Sequence, residues 1–271
     1  MNPRSFDLTG RVAVVTGGYG ALGGSIADGL AAAGVRVAIL GRRREAAVEK
    51  ADGITRRGGE ALVLVADALD EPQLKDARDE VVGVWGGVDI LVNAAGGNVQ
   101  RARNDDRSVF EVPLDAFDEV FALNFRGTLV PTMVFGESMA ARGKGSIINI
   151  SSMAAQQAIS GVLGYSVAKA GIDNLTRWMA VEMARKHGTG IRVNAIAPGF
   201  FIGAQNRDVL INPDGSYTQR ANKVVARTPM GRFGELDEVS GAVHWLCSDA
   251  ASFVTGTVIP IDGGFSAFSG I

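Results

Sequence analysis

The sequence predicts an α/β fold built on one doubly wound parallel sheet with helices on both faces. Short runs rich in Val and Ile alternate almost without break with longer helical stretches. The runs are apolar on both sides, as strands covered by helices above and below must be. The first of them leads through a glycine-rich turn into an alanine-rich helix. Repeated strand, helix, strand order requires right-handed crossovers, and sites in such sheets lie at the carboxyl ends of the strands.

Taken in order, seven parallel strands are expected at 12–16, 35–40, 61–66, 88–93, 146–150, 191–196 and 257–261. Helices are expected at 21–33, 43–57, 71–85, 115–142, 165–187 and 235–248. The segment from Pro198 to Met230 breaks the rhythm with Gly, Phe, Asn, Asp and Pro. It is long for a connection and follows a strand end, which marks it as a substrate loop. No composition shift or internal repeat divides the chain, so residues 1–271 read as one domain.

Apolar content of 46%, 21% charged residues and a net charge of −2 describe an ordinary globule. They argue against a general nucleic-acid or anionic-membrane binder, which needs a sustained basic face; Arg42-Arg43-Arg44 is too short to supply one. Cys247, the single cysteine, excludes an intrachain disulfide framework and reads as a small buried apolar side chain. The N-terminus has no apolar signal region and no run reaches membrane-spanning length, so a cytoplasmic location is expected. His187 and His244 have no partners at metal spacing, and no catalytic metal is expected.

The turn after the first strand reads Thr16-Gly17-Gly18-Tyr19-Gly20-Ala21-Leu22-Gly23. Gly18, Gly20 and Gly23 satisfy G-x-G-x-x-G, a pattern that is cheap in a chain with 36 glycines. Its place between a first strand and a helix is what points to a dinucleotide: glycines admit the pyrophosphate, and the helix N-terminus offers free N–H groups. The second strand ends in Leu40-Gly41-Arg42-Arg43. A carboxylate normally stands there for an unphosphorylated ribose, and an Arg suits a 2'-phosphate, so NADP(H) is favoured over NAD(H), through Arg42 and Arg43.

A second constellation lies at 147–169. A buried strand ends in Ser151-Ser152, and a helix then opens on Tyr165, with Lys169 one turn on. Residues four apart share a helix face, so Tyr165 and Lys169 point the same way, and Ser152 can face the same space. A phenol with a pKa of about 10 is a poor base until a cation stabilises the phenolate; a shift of about three units asks for roughly 4 kcal/mol. From the spacing alone, an interfacial Tyr beside a solvated Lys is the commoner arrangement.

With these pieces placed, the chain resembles the short-chain dehydrogenase/reductase family along nearly its whole length. The resemblance rests on Thr16-Gly17 with Gly23, Asn93-Ala94-Ala95-Gly96, Asn124, Ser152, Tyr165-x-x-x-Lys169 and Pro198-Gly199, in the family's order and spacing. Ala21 departs from it, standing where the family's turn has its middle glycine, and its methyl threatens to crowd the nicotinamide side of the cofactor. The resemblance implies a Rossmann-type fold and an NAD(P)-dependent oxidoreductase interconverting an alcohol and a carbonyl compound. It implies Tyr165 as acid/base, Lys169 lowering its pKa and holding the nicotinamide ribose, Ser152 binding the substrate oxygen, and Asn124 holding a water. It further implies that Asp67 meets the adenine, that Asn93, Ala94 and Gly96 lie along the cofactor, and that Pro198 and Gly199 flank the nicotinamide.

Within the family, the loop segments resemble the D-mannonate oxidoreductase, or fructuronate reductase, branch, through Asn93 to Asn98, Asn149 to Met153, Ala197 to Phe201 with 205–207, Thr228 to Gly234 and the tail from Gly263. A sugar acid needs a cation and amides. Arg207 is the first choice for the carboxylate, with Gln205, Asn206, Asn98, Gln156 and Gln157 around it and Arg101, Arg103 and Arg126 as other cations. Gly41 departs from that branch, which tends to carry an Asp there, so another polyol, keto acid or 3-ketoacyl substrate is the alternative; a non-catalytic cofactor-sensing protein is a third. By the same resemblance the helices from Asp115 and Tyr165 pair across subunits in a homotetramer. The C-terminal Phe265 to Phe268 either covers a neighbour's pocket or packs at home.

Overall fold

A computed structural model describes residues 3–203 and 206–270. Seven parallel strands form one sheet: β1 (Val12–Thr16), β2 (Arg36–Gly41), β3 (Ala61–Val65), β4 (Ile90–Asn93), β5 (Gly145–Ile150), β6 (Ile191–Pro198) and β7 (Val258–Ile261). Their order is β3-β2-β1-β4-β5-β6-β7. The order reverses beside β1, where Val15 pairs with Ile39 of β2 on one side and Val92 of β4 on the other. That reversal opens a crevice at the carboxyl ends of β1 and β4.

Alternate residues of each strand serve opposite faces. Ala13, Val15, Val37, Ile39 and Ile148 pack with α1 (Ala21–Ala32), α2 (Arg44–Arg56) and α9 (Ser240–Cys247). Val12, Val14, Leu40, Leu91 and Ile147 pack with α3 (Glu71–Trp85), α5 (Gly127–Arg142) and α6 (Leu163–Lys186). The expected strands and their parallel order are therefore as the sequence indicates, with ends displaced by a residue or two.

The helices depart from expectation in three places. The run expected at 115–142 is α4 (Leu114–Phe121), a π-helical turn over Ala122–Arg126, and then α5. The run expected at 235–248 begins as a 3₁₀ turn, Leu236–Val239, before α9. The segment read as irregular loop holds two helices, α7 (Arg207–Leu210) and α8 (Gln219–Arg227). Thr218 caps α8 by accepting from Ala221 N–H at 3.2 Å. Leu210, Ala221, Val224 and Phe233 give the segment a small core of its own.

A line of buried polar side chains crosses the middle of the sheet. Asn93 Nδ2 donates to Thr132 Oγ1 at 2.8 Å and to Asn149 Oδ1 at 2.9 Å, and Asn149 Nδ2 donates to Thr176 Oγ1 at 2.9 Å. Strands β4 and β5 are thereby tied to α5 and α6 just behind the crevice. Buried amides stabilise only while paired, and each orphaned group costs about 1–3 kcal/mol. Asn149→Ala should therefore lower the unfolding free energy by about 2–4 kcal/mol, read from the urea midpoint, and an unchanged midpoint would contradict the assignment.

Candidate active site

The site is built where the carboxyl ends of β1, β4, β5 and β6 meet. On the first of these, Gly17 turns with φ +61, and a Cβ there would lie 2.9 Å from Ala95 Cα. A Cβ on Gly23 would lie 2.4 Å from Gly17 O. At positions 17 and 23 the turn is thus packed tightly enough that only glycine fits, and its amides lead into α1, whose Gly20 cap makes no side-chain hydrogen bond. Free N–H groups at a helix start, with backbone exposed before them, suit a pyrophosphate.

Several predicted cofactor residues support this cradle from behind. Thr16 is fully buried, and its Oγ1 accepts from the Ala94 and Ala95 N–H groups at 3.1 Å each, joining the ends of β1 and β4. Leu22 packs on the core. The Asn93 side chain points into the sheet, which leaves its main chain and that of Ala94 and Gly96 to line the crevice. Pro198 ends β6, and Gly199 N–H donates to Ile261 O at 2.9 Å. Ala21, where crowding was expected, is exposed, and its Cβ would stand 2.9 Å from a Cβ on Gly203. The absent side chain across the gap makes room for the methyl.

Beneath the cradle, helix α6 carries Tyr165 and Lys169 into the end of β5. Gly164 lets α6 approach α4 closely, since a Cβ there would sit 2.6 Å from Val120 Cγ1. Lys169 is buried, and its Nζ donates to Ile150 O at 2.7 Å and lies 5.4 Å from the Tyr165 ring centroid. The Tyr165 hydroxyl faces Ser152, and its ring packs with Ala102, Ala116 and Val120. Ser152 Oγ also accepts from Ala154 N–H at 3.1 Å, which fixes its rotamer. Asn124 sits in the π turn, where Oδ1 accepts from Gly97 N–H at 3.1 Å and Nδ2 donates to Gly97 O and Val120 O, both at 2.8 Å. A Cβ on Gly96 would fall 2.7 Å from Asn124 Oδ1 and 3.7 Å from Lys169 Nζ, so the four predicted catalytic residues do converge.

The electrostatics of this cluster are governed by burial. Burial pushes the Tyr165 phenol up, opposed by the Ser152 hydroxyl, and burial pushes Lys169 down to about 8, opposed by Asp173. Both groups give up solvation when charged, which sets the direction of each shift. Both ends of the Asn124 amide are hydrogen-bonded within the protein, which fixes the side chain in the π turn.

The predicted substrate residues are less closely gathered. Asn98 and Arg207 are exposed, Arg207 at the first position of α7, and Gln205 lies outside the described residues. Asn206 spends its amide locally, accepting from Gly203 N–H and donating to Phe201 O, both at 2.8 Å. Gln156 faces Asp173, and Gln157 Nε2 donates to Ser266 O at 2.9 Å. Arg101 and Arg103 are paired with Asp115 and Asp105, and Arg126 is exposed. Phe265 is buried against Phe200, with ring centroids 5.4 Å apart, so the tail packs on its own chain.

Two features went unread in the sequence. Asp173 is buried and accepts a very short hydrogen bond from Ser151 Oγ. Its place one turn beyond Lys169 was the available signal. Arg220 of α8 donates to Asp105 Oδ1 at 2.9 Å and to Ser160 O at 3.2 Å, pinning the segments after β4, β5 and β6 together over the crevice. Partners so distant in the chain leave no local trace.

A family model described as Enoyl-(Acyl carrier protein) reductase matches residues 9–266. The uncharacterized oxidoreductase UxuB of Bacillus subtilis is 43% identical over 100% of both chains. The chain belongs to the short-chain dehydrogenase/reductase family. As a member it is an NAD(P)-dependent oxidoreductase. Among solved structures, a protein of Haemophilus influenzae with bound NAD, provisionally described as a D-mannonate oxidoreductase, is 39% identical and superposes with a TM-score of 0.92, covering 98% of each chain. A gluconate 5-dehydrogenase of Burkholderia cenocepacia, in complex with NADP and tartrate, is 32% identical, with a TM-score of 0.88 and 98% of each chain covered. The glycine cradle of this dehydrogenase, too tight for a side chain at positions 17 and 23 and open at a helix start, fits such a dinucleotide.

The depressed Lys169 makes stability depend on pH. Unfolded, its amine keeps its proton to about 10.5; folded, it does so only to about 8. Between those values the unfolded chain binds more protons, so stability rises with pH there and is flat below about 8. Measured against Lys169→Met, the unaltered enzyme should gain at most about 3 kcal/mol in urea unfolding as pH climbs through this window. Parallel pH profiles for the two proteins would show that the buried amine has been misread.

Proposed function

We propose that the enzyme interconverts a secondary alcohol and a ketone on a sugar acid of the D-mannonate/D-fructuronate type. The observation that carries the chemistry is the convergence of Tyr165, Ser152 and Lys169 at the end of β5. Bound nicotinamide supplies or takes up the hydride. Ser152 holds the substrate oxygen, and Tyr165 gives that oxygen its proton as the phenol in reduction and takes it back as the phenolate in oxidation. Lys169, anchored on Ile150 O, keeps two further N–H donors for ribose hydroxyls, while Asn124 fixes the Gly97 backbone beside them.

Relatives named for sugar acids support the substrate class, including a Gluconobacter oxydans gluconate 5-dehydrogenase that is 32% identical over 98% of both chains. For the carboxylate we keep Arg207, which has no ion-pair partner among the described residues, whereas Arg101 and Arg103 are already neutralised. Asn98 and Gln205 are the amides proposed for the hydroxyls. For the cofactor, Gly41 followed by Arg42 and Arg43 favours NADP(H), with Asp67 near the adenine, although relatives hold NAD or NADP.

A homotetramer is proposed from the apolar side chains left outward on α4, α5 and α6: Leu114 is 80% exposed, Met133 57%, Trp178 60% and Val181 57%. Burying such residues across subunits is the ordinary remedy. One domain over 1–271 and a cytoplasmic location complete the proposal; among the described residues no helix is long and apolar enough to cross a membrane.

Tyr165→Phe should lower kcat for fructuronate reduction by about 10²- to 10⁴-fold while leaving NADPH binding intact. In the same absorbance assay, kcat/KM should be higher with NADPH than with NADH. Arg207→Ala should raise KM for fructuronate by about tenfold with kcat little changed. Full turnover in the Tyr165 variant would remove the assignment of the acid, and an unmoved KM would pass the carboxylate to another cation.

A further inference from the structure

Gly41 ends β2 without a side chain, and the space it leaves is filled from the glycine turn. A Cβ built on Gly41 would lie 2.4 Å from Tyr19 Cε1 and 2.8 Å from both Cζ and the hydroxyl oxygen. Carbon atoms do not approach that closely without a contact being broken. The phenol tip therefore stands in the volume that any acid at position 41 would enter. Arg43 holds the ring there in two ways: its backbone N–H donates to the Tyr19 hydroxyl at 3.2 Å, and its guanidinium lies 4.9 Å from the ring centroid. Arg42 flanks the same point, 3.7 Å from Asp67 and largely exposed.

The chemistry of this end differs from that of an acid. A carboxylate accepts from the two free hydroxyls of an unphosphorylated ribose and repels a phosphate. Tyr19 brings a hydroxyl instead of a carboxylate, and because its oxygen already accepts from Arg43 N–H, its own O–H is left to donate. A phosphate offers only acceptors and carries the charge that the two arginines answer. We infer that Tyr19, seated over Gly41, replaces the acid at the end of β2 and selects an adenosine ribose bearing a 2'-phosphate, so that positions 19 and 41 act as one unit. The inference rests on the NADP(H) reading proposed above and adds a selecting residue to it. An acid placed at 41 beside Tyr19 must expel the ring, and it can grip a ribose only when residue 19 is shortened.

The test is calorimetric binding of 2',5'-ADP and 5'-AMP to the full chain and to Tyr19→Phe, Gly41→Asp, Tyr19→Ser and the Tyr19→Ser/Gly41→Asp double variant. The unaltered chain should hold 2',5'-ADP about tenfold tighter than 5'-AMP, and Tyr19→Phe, which keeps the ring and loses the donor, should shrink that ratio several-fold. Gly41→Asp should weaken both ligands. The double variant should turn the preference to 5'-AMP by more than the product of its two single effects. The unit is overturned if Gly41→Asp alone reverses the preference as fully as the double variant, if the effects multiply independently, or if Tyr19→Phe leaves the ratio unchanged. Should Gly41→Asp fail to fold, the Tyr19→Phe ratio decides alone. With 2',5'-ADP still preferred by the unaltered chain, those outcomes overturn the inference alone; a preference for 5'-AMP, or binding of neither fragment, overturns it together with the NADP(H) reading.

Discussion

One hydrogen bond sets the rest of the site: the buried Lys169 ammonium donating to Ile150 O at the last position of β5. A charged amine without water must find acceptors, and here the first is the strand end itself. The bond ties α6 to the edge of the crevice and so fixes where Tyr165, one turn earlier, can stand. Ser151 and Asp173 make a second tie between the same strand end and the same helix, one turn later. Two polar clamps on one helix leave the phenol little freedom to move away from Ser152.

The electrostatics of the cluster follow from that burial. Desolvation dominates both shifts, so Tyr165 is held protonated and Lys169 gives up part of its hold on its proton. A protonated phenol is the form that donates to a ketone oxygen, and the phenolate is the form that accepts from an alcohol. Asp173, half a charge-pair with Lys169 and Arg177 on the same helix, opposes the loss of the lysine's proton. Binding of a ribose that accepts from the remaining ammonium donors would work in the same sense.

Much of this was legible in the sequence because it is local or periodic. The β1 turn is written in consecutive glycines, the α6 pair in a four-residue spacing, and the sheet in alternating Val and Ile runs. What escaped is long-range or depends on a cavity's shape. The π turn at Asn124 arises where α4 and α5 run on as one helix and cannot be told from an ordinary turn by composition. Helix α8 hid among Asn, Gly and Pro residues, although its Thr218 cap was present to be read. Arg220 with Asp105, Ala21 with Gly203 and Tyr19 with Gly41 each join residues far apart in the chain. For the last two, the informative partner is a missing side chain, which a linear pattern records only as one glycine among many.

The central claim is that Tyr165, Ser152 and Lys169 surround one substrate oxygen. A crystal structure with reduced cofactor and fructuronate bound tests it most directly. The account predicts the ketone oxygen within hydrogen-bond reach of both the Tyr165 hydroxyl and Ser152 Oγ, with Lys169 still on Ile150 O. A fructuronate whose ketone oxygen lies away from both hydroxyls, or a lysine withdrawn from the strand end, would contradict it.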